Sequence, residues 1–200
     1  MHAMNILIGG EAGQGLATVG RLLSLALVRI GYSIVVTQSY ESRIRGGHNT
    51  FAVRAGANGV EAPAESIDIL VALDGETARR HAPELAADGL VIADERRCGG
   101  DERCLRVPFA DLAPKQFENT VALGAVCAVL GIGRDVVSGV VAEAFGAKHP
   151  ESADGNRRAL EGAFAWFAER PGARKTLPPA GSSACALMLN GNEALALGAA

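Results

Sequence analysis

Residues 40–50, YESRIRGGHNT, concentrate side chains that could hold a ligand between two apolar stretches. Two arginines provide planar donors that suit a phosphate or carboxylate, and a histidine there could titrate near neutral pH. Two adjacent glycines would permit close backbone approach or a positive φ. No nucleophile–base pair or metal-spaced ligand set accompanies them, so the stretch favours binding over catalysis. The ligand or interface residues predicted here are Tyr40, Arg43, Arg45, Gly46, Gly47, His48 and Asn49.

A structural interpretation of this stretch stays open beside the binding one. Arg43 and Arg45 could pair with Glu41 or with other carboxylates, and His48 could be a hydrogen-bonded loop residue. Ion pairs of that kind would order the loop without any ligand.

A glycine loop, GGEAGQGL, provides the second candidate site, with Gly10, Gly13, Gln14 and Gly15 as its predicted ligand or interface residues. The loop leads into a helix, where backbone N–H groups and the helix dipole favour an anion. Its spacing differs from the dinucleotide fingerprint G-x-G-x-x-G, and no acidic residue follows the second strand until Glu41. A stand-alone NAD or FAD domain is therefore disfavoured. Alternatively, the glycines only let strand and helix pack closely, with Gln14 bonding nearby backbone.

The elements around these two stretches predict how they are positioned. NILIG is typical of a buried strand, LATVGRLLSLALVRIG of a helix that ends at Gly31, and SIVVT of a second strand. Such a βαβ unit is almost always right-handed and parallel. Both loops would then lie at the carboxyl ends of strands, where open α/β sheets bind ligands.

The rest of the chain extends this pattern. IDILVAL, GLVIAD and CLRVPF indicate further strands, and Asn58-Gly59 indicates a β-hairpin. ETARRHAPELAADG predicts a helical crossover that ends at Gly89. Three helices follow, and Leu160, Phe164 and Phe167 share one face of the last, beside Trp166. We predict a three-layer, Rossmann-like α/β domain with a mainly parallel sheet, an inserted β-hairpin and helices on both faces.

The domain organisation follows from composition along the chain. We assign residues 4–170 to the α/β domain and 171–184, rich in Pro, Gly and Ser, to a linker. Residues 185–200 are assigned to the start of a second domain, with strand-like CALML, an N-cap in NGN and the first residues of a helix. A helix this short cannot bury a face alone, so a longer parent chain is expected.

Composition excludes several classes of protein. The net charge is −3 and the pI is about 5.8, which gives no electrostatic footprint for nucleic acid. The longest apolar run is too short to span a membrane, and the N-terminus does not resemble a signal peptide, so a cytoplasmic location is expected. No CxxC pair occurs, which predicts reduced thiols and no metal or cluster site at Cys98, Cys104, Cys127 and Cys185.

Four segments together resemble the gamma domain of 2-oxoacid:ferredoxin (acceptor) oxidoreductases: NILIGGEAGQGL, SYESRIRGGHNTFAVR, DILVALD and ENTVALGAVCAVLG. They are most similar to the form in which gamma is fused ahead of the alpha domain, and GNEALALGAA resembles the opening of that alpha domain. Two positions depart from the family pattern. Ala12 stands where many separate gamma subunits have glycine, and Glu41 stands where fused chains usually have proline after the tyrosine.

The resemblance implies a role in a multisubunit enzyme. Such complexes decarboxylate a 2-oxoacid, such as pyruvate or 2-oxoglutarate, on thiamine diphosphate. They pass electrons through iron–sulfur clusters to ferredoxin and transfer the acyl group to coenzyme A. The implied partners are a beta subunit carrying thiamine diphosphate, the remainder of the alpha domain, and ferredoxin or a ferredoxin-like subunit. The fragment alone is expected to hold none of these cofactors and no catalytic residue.

Within that family the sequence leaves the substrate, the electron acceptor and the role of the two loops open. The loops could steady the subunit interface or guide coenzyme A, whose phosphates suit arginines and a helix N-terminus. Two further interpretations compete with a gamma domain, joined to the start of alpha, of a multisubunit oxidoreductase. One is a stand-alone nucleotide-binding module, and the other is a purely structural interaction domain.

Overall fold

Six strands form one mixed sheet in a computed structural model that describes residues 3–41, 47–146, 150–170, 172, 174–180 and 187–199. Their ranges are β1 (Met4–Glu11), β2 (Ser33–Ser39), β3 (His48–Gly56), β4 (Ile67–Ala72), β5 (Leu85–Asp94) and β6 (Cys104–Val107). The order across the sheet is β2-β3-β1-β4-β5-β6. The pairs β1–β4, β4–β5 and β5–β6 are parallel, whereas β3 is antiparallel to both of its neighbours. The predicted α/β class with a mainly parallel sheet is confirmed.

Helices cover both faces of this sheet. Their ranges are α1 (Leu16–Arg29), α2 (Gly75–His81), α3 (Phe109–Leu112), α4 (Glu118–Leu130), α5 (Arg134–Phe145), α6 (Pro150–Ala168) and α7 (Gly191–Gly198). The larger core lies between one face of the sheet and α1, α4, α5 and α6, and it includes the predicted Leu160 and Phe167. The smaller core lies on the opposite face, where Ala78 of α2 packs. None of the helices in the described ranges is long and apolar enough to span a bilayer.

β1 shows why the sheet needs two cores. Ile6 and Ile8 are fully buried in the larger core, whereas Leu7 between them packs in the smaller one with Leu70 and Val91. Alternate side chains of a strand point to opposite faces, so a run of apolar residues requires cover on both.

The end of α1 was predicted at Gly31, and the structure confirms it. Gly31 has a φ of 94°, its N–H donates to Val28 O, and the N–H of Tyr32 donates to Leu27 O. These two bonds form a Schellman motif, which turns the chain directly into β2.

The predicted hairpin at Asn58-Gly59 is wrong. β3 pairs along one edge with β1 and along the other with β2, so both of its edges are occupied when the chain reaches residue 57. The following segment therefore cannot fold back onto β3, and it crosses in a loop to β4 instead. The antiparallel pair that does form at this edge of the sheet is β2 with β3.

The predicted long crossover helix is also wrong. α2 ends at His81 because Pro83 cannot continue the hydrogen-bonded pattern, and residues 82–84 form a single 3₁₀ turn. Residues 85–88 belong to β5, and so does Gly89, which was expected to end the helix. A Cβ at Gly89 would lie 2.9 Å from Ala86 O, so the irregular start of this strand requires glycine.

The cysteines correct another expectation. Cys98 and Cys104 form a disulfide, although the sequence predicted reduced thiols. The two cysteines are six positions apart in sequence, and the chain between them folds back so that both lie beside the smaller core, a closeness that the spacing of the cysteines did not indicate. Cys127 is a buried free thiol, and burial raises its pKa well above its usual value. Cys185 lies outside the described residues.

The last described segment contains one confirmed and one wrong prediction. Asn190 caps α7 as predicted, because its Oδ1 accepts from the Glu193 N–H while Glu193 Oε2 accepts from the Asn190 N–H. Leu187–Leu189, expected to be part of a strand, has no regular structure. α7 has no buried residue. The division of the chain into a domain, a linker and the beginning of a second domain stays a prediction.

Candidate functional site

The glycine loop connects the end of β1 to the first turn of α1. Gly13 and Gly15 have φ values of 95° and 80°, a region that favours glycine. Gln14 closes the loop on itself, because its Oε1 accepts from the Glu11 N–H at 3.0 Å while its own N–H donates to Glu11 O at 3.2 Å. The loop geometry therefore agrees with the expectation that Gln14 bonds neighbouring backbone.

Gly10 precedes the turn, at the end of β1, and has little space around it. A Cβ at Gly10 would lie 2.6 Å from Gln14 Oε1 and 3.1 Å from Leu73 Cβ. A side chain at this position would therefore displace the amide that closes the loop. Gly10 serves close packing in this arrangement.

The start of β3 lies directly beside the glycine strand. His48 is paired in register with Glu11, and Asn49 with Gly10. The sequence predicted this adjacency, but the antiparallel strand β3 produces it, and not a parallel neighbour of β1. Gly47 precedes β3 with a φ of 93°. Arg43, Arg45 and Gly46 lie outside the described residues.

Glu41 and Asn49 hold the two ends of the β2–β3 connection together. The Glu41 N–H donates to Asn49 Oδ1 at 3.1 Å, and Glu41 Oε2 accepts from the His48 N–H at 3.2 Å. The other carboxylate oxygen of Glu41 forms an ion pair with Arg80 at 2.7 Å. Tyr40 is 62% exposed, and its hydroxyl contacts Gln38. Asn49 therefore supports the connection, whereas Tyr40 faces outward.

His48 makes a contact that the sequence did not indicate. Its Nε2 lies 2.7 Å from Nε2 of His81 at the end of α2, and Nδ1 of His81 lies 2.8 Å from Glu84 Oε2. Thr77 Oγ1 lies 3.5 Å from the remaining His48 nitrogen. Burial lowers the pKa of His48, and the charges of His81 and Arg80 lower it further. The start of β3 is thereby connected to α2 through a buried pair of imidazole rings.

A crevice of about 520 Å³ opens beside the glycine loop. Its polar lining includes Gln14, Arg97, Lys115, Glu118 and Asn119. None of the last four was predicted from the sequence, because each is contributed by a segment distant from the glycine loop and belongs to no local motif. Only the position of the crevice, at the carboxyl ends of β1 and β4, could have indicated a site there.

The charges of the crevice allow it to hold an anionic group. Arg97 is already engaged, since it donates to Leu73 O at 2.6 Å and pairs with Glu118 at 3.1 Å. Lys115 is exposed, and the first turn of α1 adds the positive end of a helix dipole. Among the described residues, no group of three or more His, Cys, Asp or Glu side chains could hold a metal ion.

Comparison of this chain with known proteins identifies its family. The 2-oxoglutarate synthase subunit KorC of Archaeoglobus fulgidus is 29% identical over 144 residues, which cover 69% of this chain and 76% of that protein. A structure of 2-oxoglutarate:ferredoxin oxidoreductase from Magnetococcus marinus, with 2-oxoglutarate, coenzyme A and succinyl-CoA bound, superposes with a TM-score of 0.80 at 21% identity. It covers 88% of this chain, which spans only 33% of that longer one.

A separate gamma subunit has the same fold. That of the keto/oxoacid ferredoxin oxidoreductase from Geobacter sulfurreducens superposes with a TM-score of 0.68 at 22% identity, covering 88% of this chain and 100% of its own. The model of the family described as pyruvate ferredoxin/flavodoxin oxidoreductase matches residues 5–166. The predicted resemblance to oxidoreductase gamma subunits is thus confirmed, and the chain belongs to the pyruvate ferredoxin/flavodoxin oxidoreductase family.

Proposed function

We propose that this chain is the gamma domain of a thiamine-diphosphate-dependent 2-oxoacid:ferredoxin oxidoreductase, which oxidises a 2-oxoacid to an acyl-CoA. The family match over residues 5–166 is the observation that carries the proposal. The relatives and structural neighbours are subunits of such enzymes. We also propose that the complex is cytoplasmic and that this gamma domain is joined to an alpha domain in one chain.

In this proposal the glycine loop, the start of β3 and the crevice form the edge of the domain that faces its partners. The partners are the beta subunit, the remainder of the alpha domain, and ferredoxin or a ferredoxin-like subunit. In this proposal those parts bring the thiamine diphosphate and the iron–sulfur clusters. The domain acts in assembly and contributes no catalytic residue.

In this proposal the ligand of this edge is coenzyme A. It supplies the thiol that accepts the acyl group, and its phosphates require cationic and N–H donors. Lys115 and the N–H groups at the start of α1 are such donors beside the crevice. Arg43 and Arg45, in the connection that begins beside Asn49, would add bidentate donors. Their role is to bind and orient the phosphates.

The proposal is tested by purifying the full-length parent chain from its native host with its bound partners. The eluate is assayed for CoA-dependent reduction of a viologen dye by several 2-oxoacids, and the partners are identified by mass spectrometry. We expect a thiamine-diphosphate subunit and oxoacid-dependent reduction. A chain without such a partner and without that activity would overturn the proposal, and binding of NAD or FAD by the purified chain would favour a nucleotide module instead.

Variants of the assembled complex separate the two roles of the edge. If Arg45 and Lys115 position coenzyme A, Arg45→Ala and Lys115→Ala should raise the apparent KM for coenzyme A while oxoacid decarboxylation is retained. Equal loss of both activities, with loss of the partner subunits, would assign these residues to assembly. Arg134→Ala is the matched control, because Arg134 is an exposed cation at the start of α5.

A further inference from the structure

Two buried histidines meet where the glycine strand, the β2–β3 connection and α2 come together. His48 is 8% exposed and His81 is 9% exposed, and their Nε2 atoms lie 2.7 Å apart. The ring centroids are 4.9 Å apart with an interplanar angle of 34°. A nitrogen–nitrogen distance of this length is a hydrogen bond, which has room for one hydrogen between the two atoms.

The neighbouring groups determine which nitrogen carries each hydrogen. His81 Nδ1 faces the Glu84 carboxylate at 2.8 Å, and a carboxylate only accepts, so Nδ1 of His81 carries a hydrogen. In the neutral pair, Nε2 of His81 is therefore the acceptor and Nε2 of His48 the donor. His48 Nδ1 is left as an acceptor facing the Thr77 hydroxyl.

The same geometry accepts one added proton but not two. A proton on His48 Nδ1 would donate to Thr77 Oγ1, which can rotate its own hydrogen away, and the contact between the rings would persist. A second proton would place hydrogens on both Nε2 atoms, 2.7 Å apart, and two imidazolium charges would then repel. The rings must separate before the second proton binds.

Carboxylates and an arginine surround the pair of rings. Burial lowers the pKa of His48, while the carboxylates of Asp74 and Glu76 act in the opposite direction. The charged and titratable groups around the pair, taken from β1, the β2–β3 connection, α2 and its flanking turns, are Glu11, Glu41, Asp74, Glu76, Arg80 and Glu84.

We propose that His48 and His81 form a latch that holds at most one proton, fastens the start of β3 to α2, and opens when the pair takes up a second proton. Gly9 provides the space for it, since a Cβ there would lie 2.5 Å from Thr77 Cγ2 and 3.2 Å from His48 Cε1. The ion pair between Glu41 and Arg80 is a second tether, which joins the β2–β3 connection to α2. Opening would detach the start of β3 from α2.

The proposal of a latch is based on these contacts alone. It can therefore be tested independently of the proposed function. It is tested on the whole chain, labelled with ¹⁵N at histidine, by following the ring nitrogens by NMR from about pH 8 to pH 5. The variants His48→Gln and His81→Gln assign the signals among the four histidines. We expect the pair to take up one proton with its shared-hydrogen signature intact. Two rings that titrate independently, each to full imidazolium, would overturn the latch.

Amide exchange provides a second readout of opening. The N–H groups of Glu41 and His48 donate to side chains in the closed arrangement. Because opening consumes one proton, exchange of these two N–H groups should become faster as the pH falls. After correction for its intrinsic pH dependence, the exchange rate should rise about tenfold for each pH unit of decrease over the range in which the second proton binds. In His81→Gln this pH dependence should vanish, since glutamine can accept from His48 but does not titrate. Arg80→Ala should leave the pH dependence in place, and exchange that is independent of pH in the unaltered chain would overturn the proposal.

Discussion

Asn119, in the first turn of α4, lies directly over Gly15, the residue that caps the start of α1. A Cβ at Gly15 would overlap the side-chain amide of Asn119, and Gly15 also has a φ of 80°. Two independent features thus require glycine here. The contact joins the glycine loop to the opposite wall of the crevice, so the shape of the candidate site depends on it.

Gly15→Ala should therefore destabilise the chain more than an equivalent change elsewhere in the loop. The left-handed backbone alone costs about 1–2 kcal/mol for a residue with a Cβ, and the overlap with Asn119 adds to this. Gly13→Ala is the matched control, because Gly13 has a φ of 95° but no atom lies within 4 Å of its Cβ position. Urea unfolding measures both losses.

A double variant isolates the steric part. Asn119→Ala in the Gly15→Ala background should recover the excess loss while leaving the backbone strain. Equal losses for Gly13→Ala and Gly15→Ala would show that Asn119 moves aside at no measurable cost, and would contradict the packing described.

The glycine loop and the start of β3 could be predicted from the sequence, because each is a local motif next to a recognisable strand. Their adjacency was also predicted, since both follow strands that run in the same direction. The actual strand pairing was not predicted: whether β3 folds back between β1 and β2 depends on contacts between residues far apart in sequence. No local pattern contains that information.

The other half of the site is missing from the sequence prediction for a related reason. His81, Arg97, Lys115 and Asn119 come from three separate segments, and each has an ordinary helical or loop context. They come close to the glycine loop because Pro83 ends α2 early and because the fold places the turn after β5 and the start of α4 around the crevice, with β4 between β1 and β5. Tertiary contacts of this kind override local pattern.

A buried hydrogen bond between α4 and α6 offers a stability test. Thr120 Oγ1 donates to Asn156 Oδ1 at 2.6 Å, and both residues are almost fully buried. Thr120→Val keeps the shape of the side chain but removes this donor, and should lower the free energy of unfolding by about 1–3 kcal/mol. Thr120→Ser keeps the hydroxyl and is the control. If valine and serine variants are equally stable in denaturant unfolding, the bond contributes nothing.

The disulfide between Cys98 and Cys104 should stabilise the loop that follows β5. Closing a loop this short restricts the unfolded chain, so reduction should lower the free energy of unfolding by about 2 kcal/mol. Unfolding with and without a dithiol reductant measures the difference. The variant with serine at both positions should be insensitive to the reductant. Alkylation of both thiols without prior reduction, detected by peptide mass spectrometry, would contradict the bond.

Asp94, at the end of β5, is an acid-sensitive element of the fold. It is 1% exposed and accepts from the backbone N–H of Phe109 at 3.2 Å and from the Arg96 side chain at 2.9 Å. Burial alone would raise the pKa of this carboxyl. The hydrogen bonds from Arg96, together with the charges of Arg96 and Arg97, outweigh burial and hold the pKa below its ordinary value.

Because the folded chain binds this proton less readily than the unfolded chain, Asp94 stabilises the fold above the ordinary aspartate pKa of about 3.9 and loses that contribution as pH falls through its lower folded pKa. Asp94→Asn should cost about 1–3 kcal/mol near pH 6, since its amide cannot accept every bond. The difference from the unaltered chain should shrink as pH falls toward about 2. Unfolding followed from pH 6 downward measures it, with exposed Asp135→Asn as the control. A difference that is constant over this range would show that the charge of Asp94 contributes nothing.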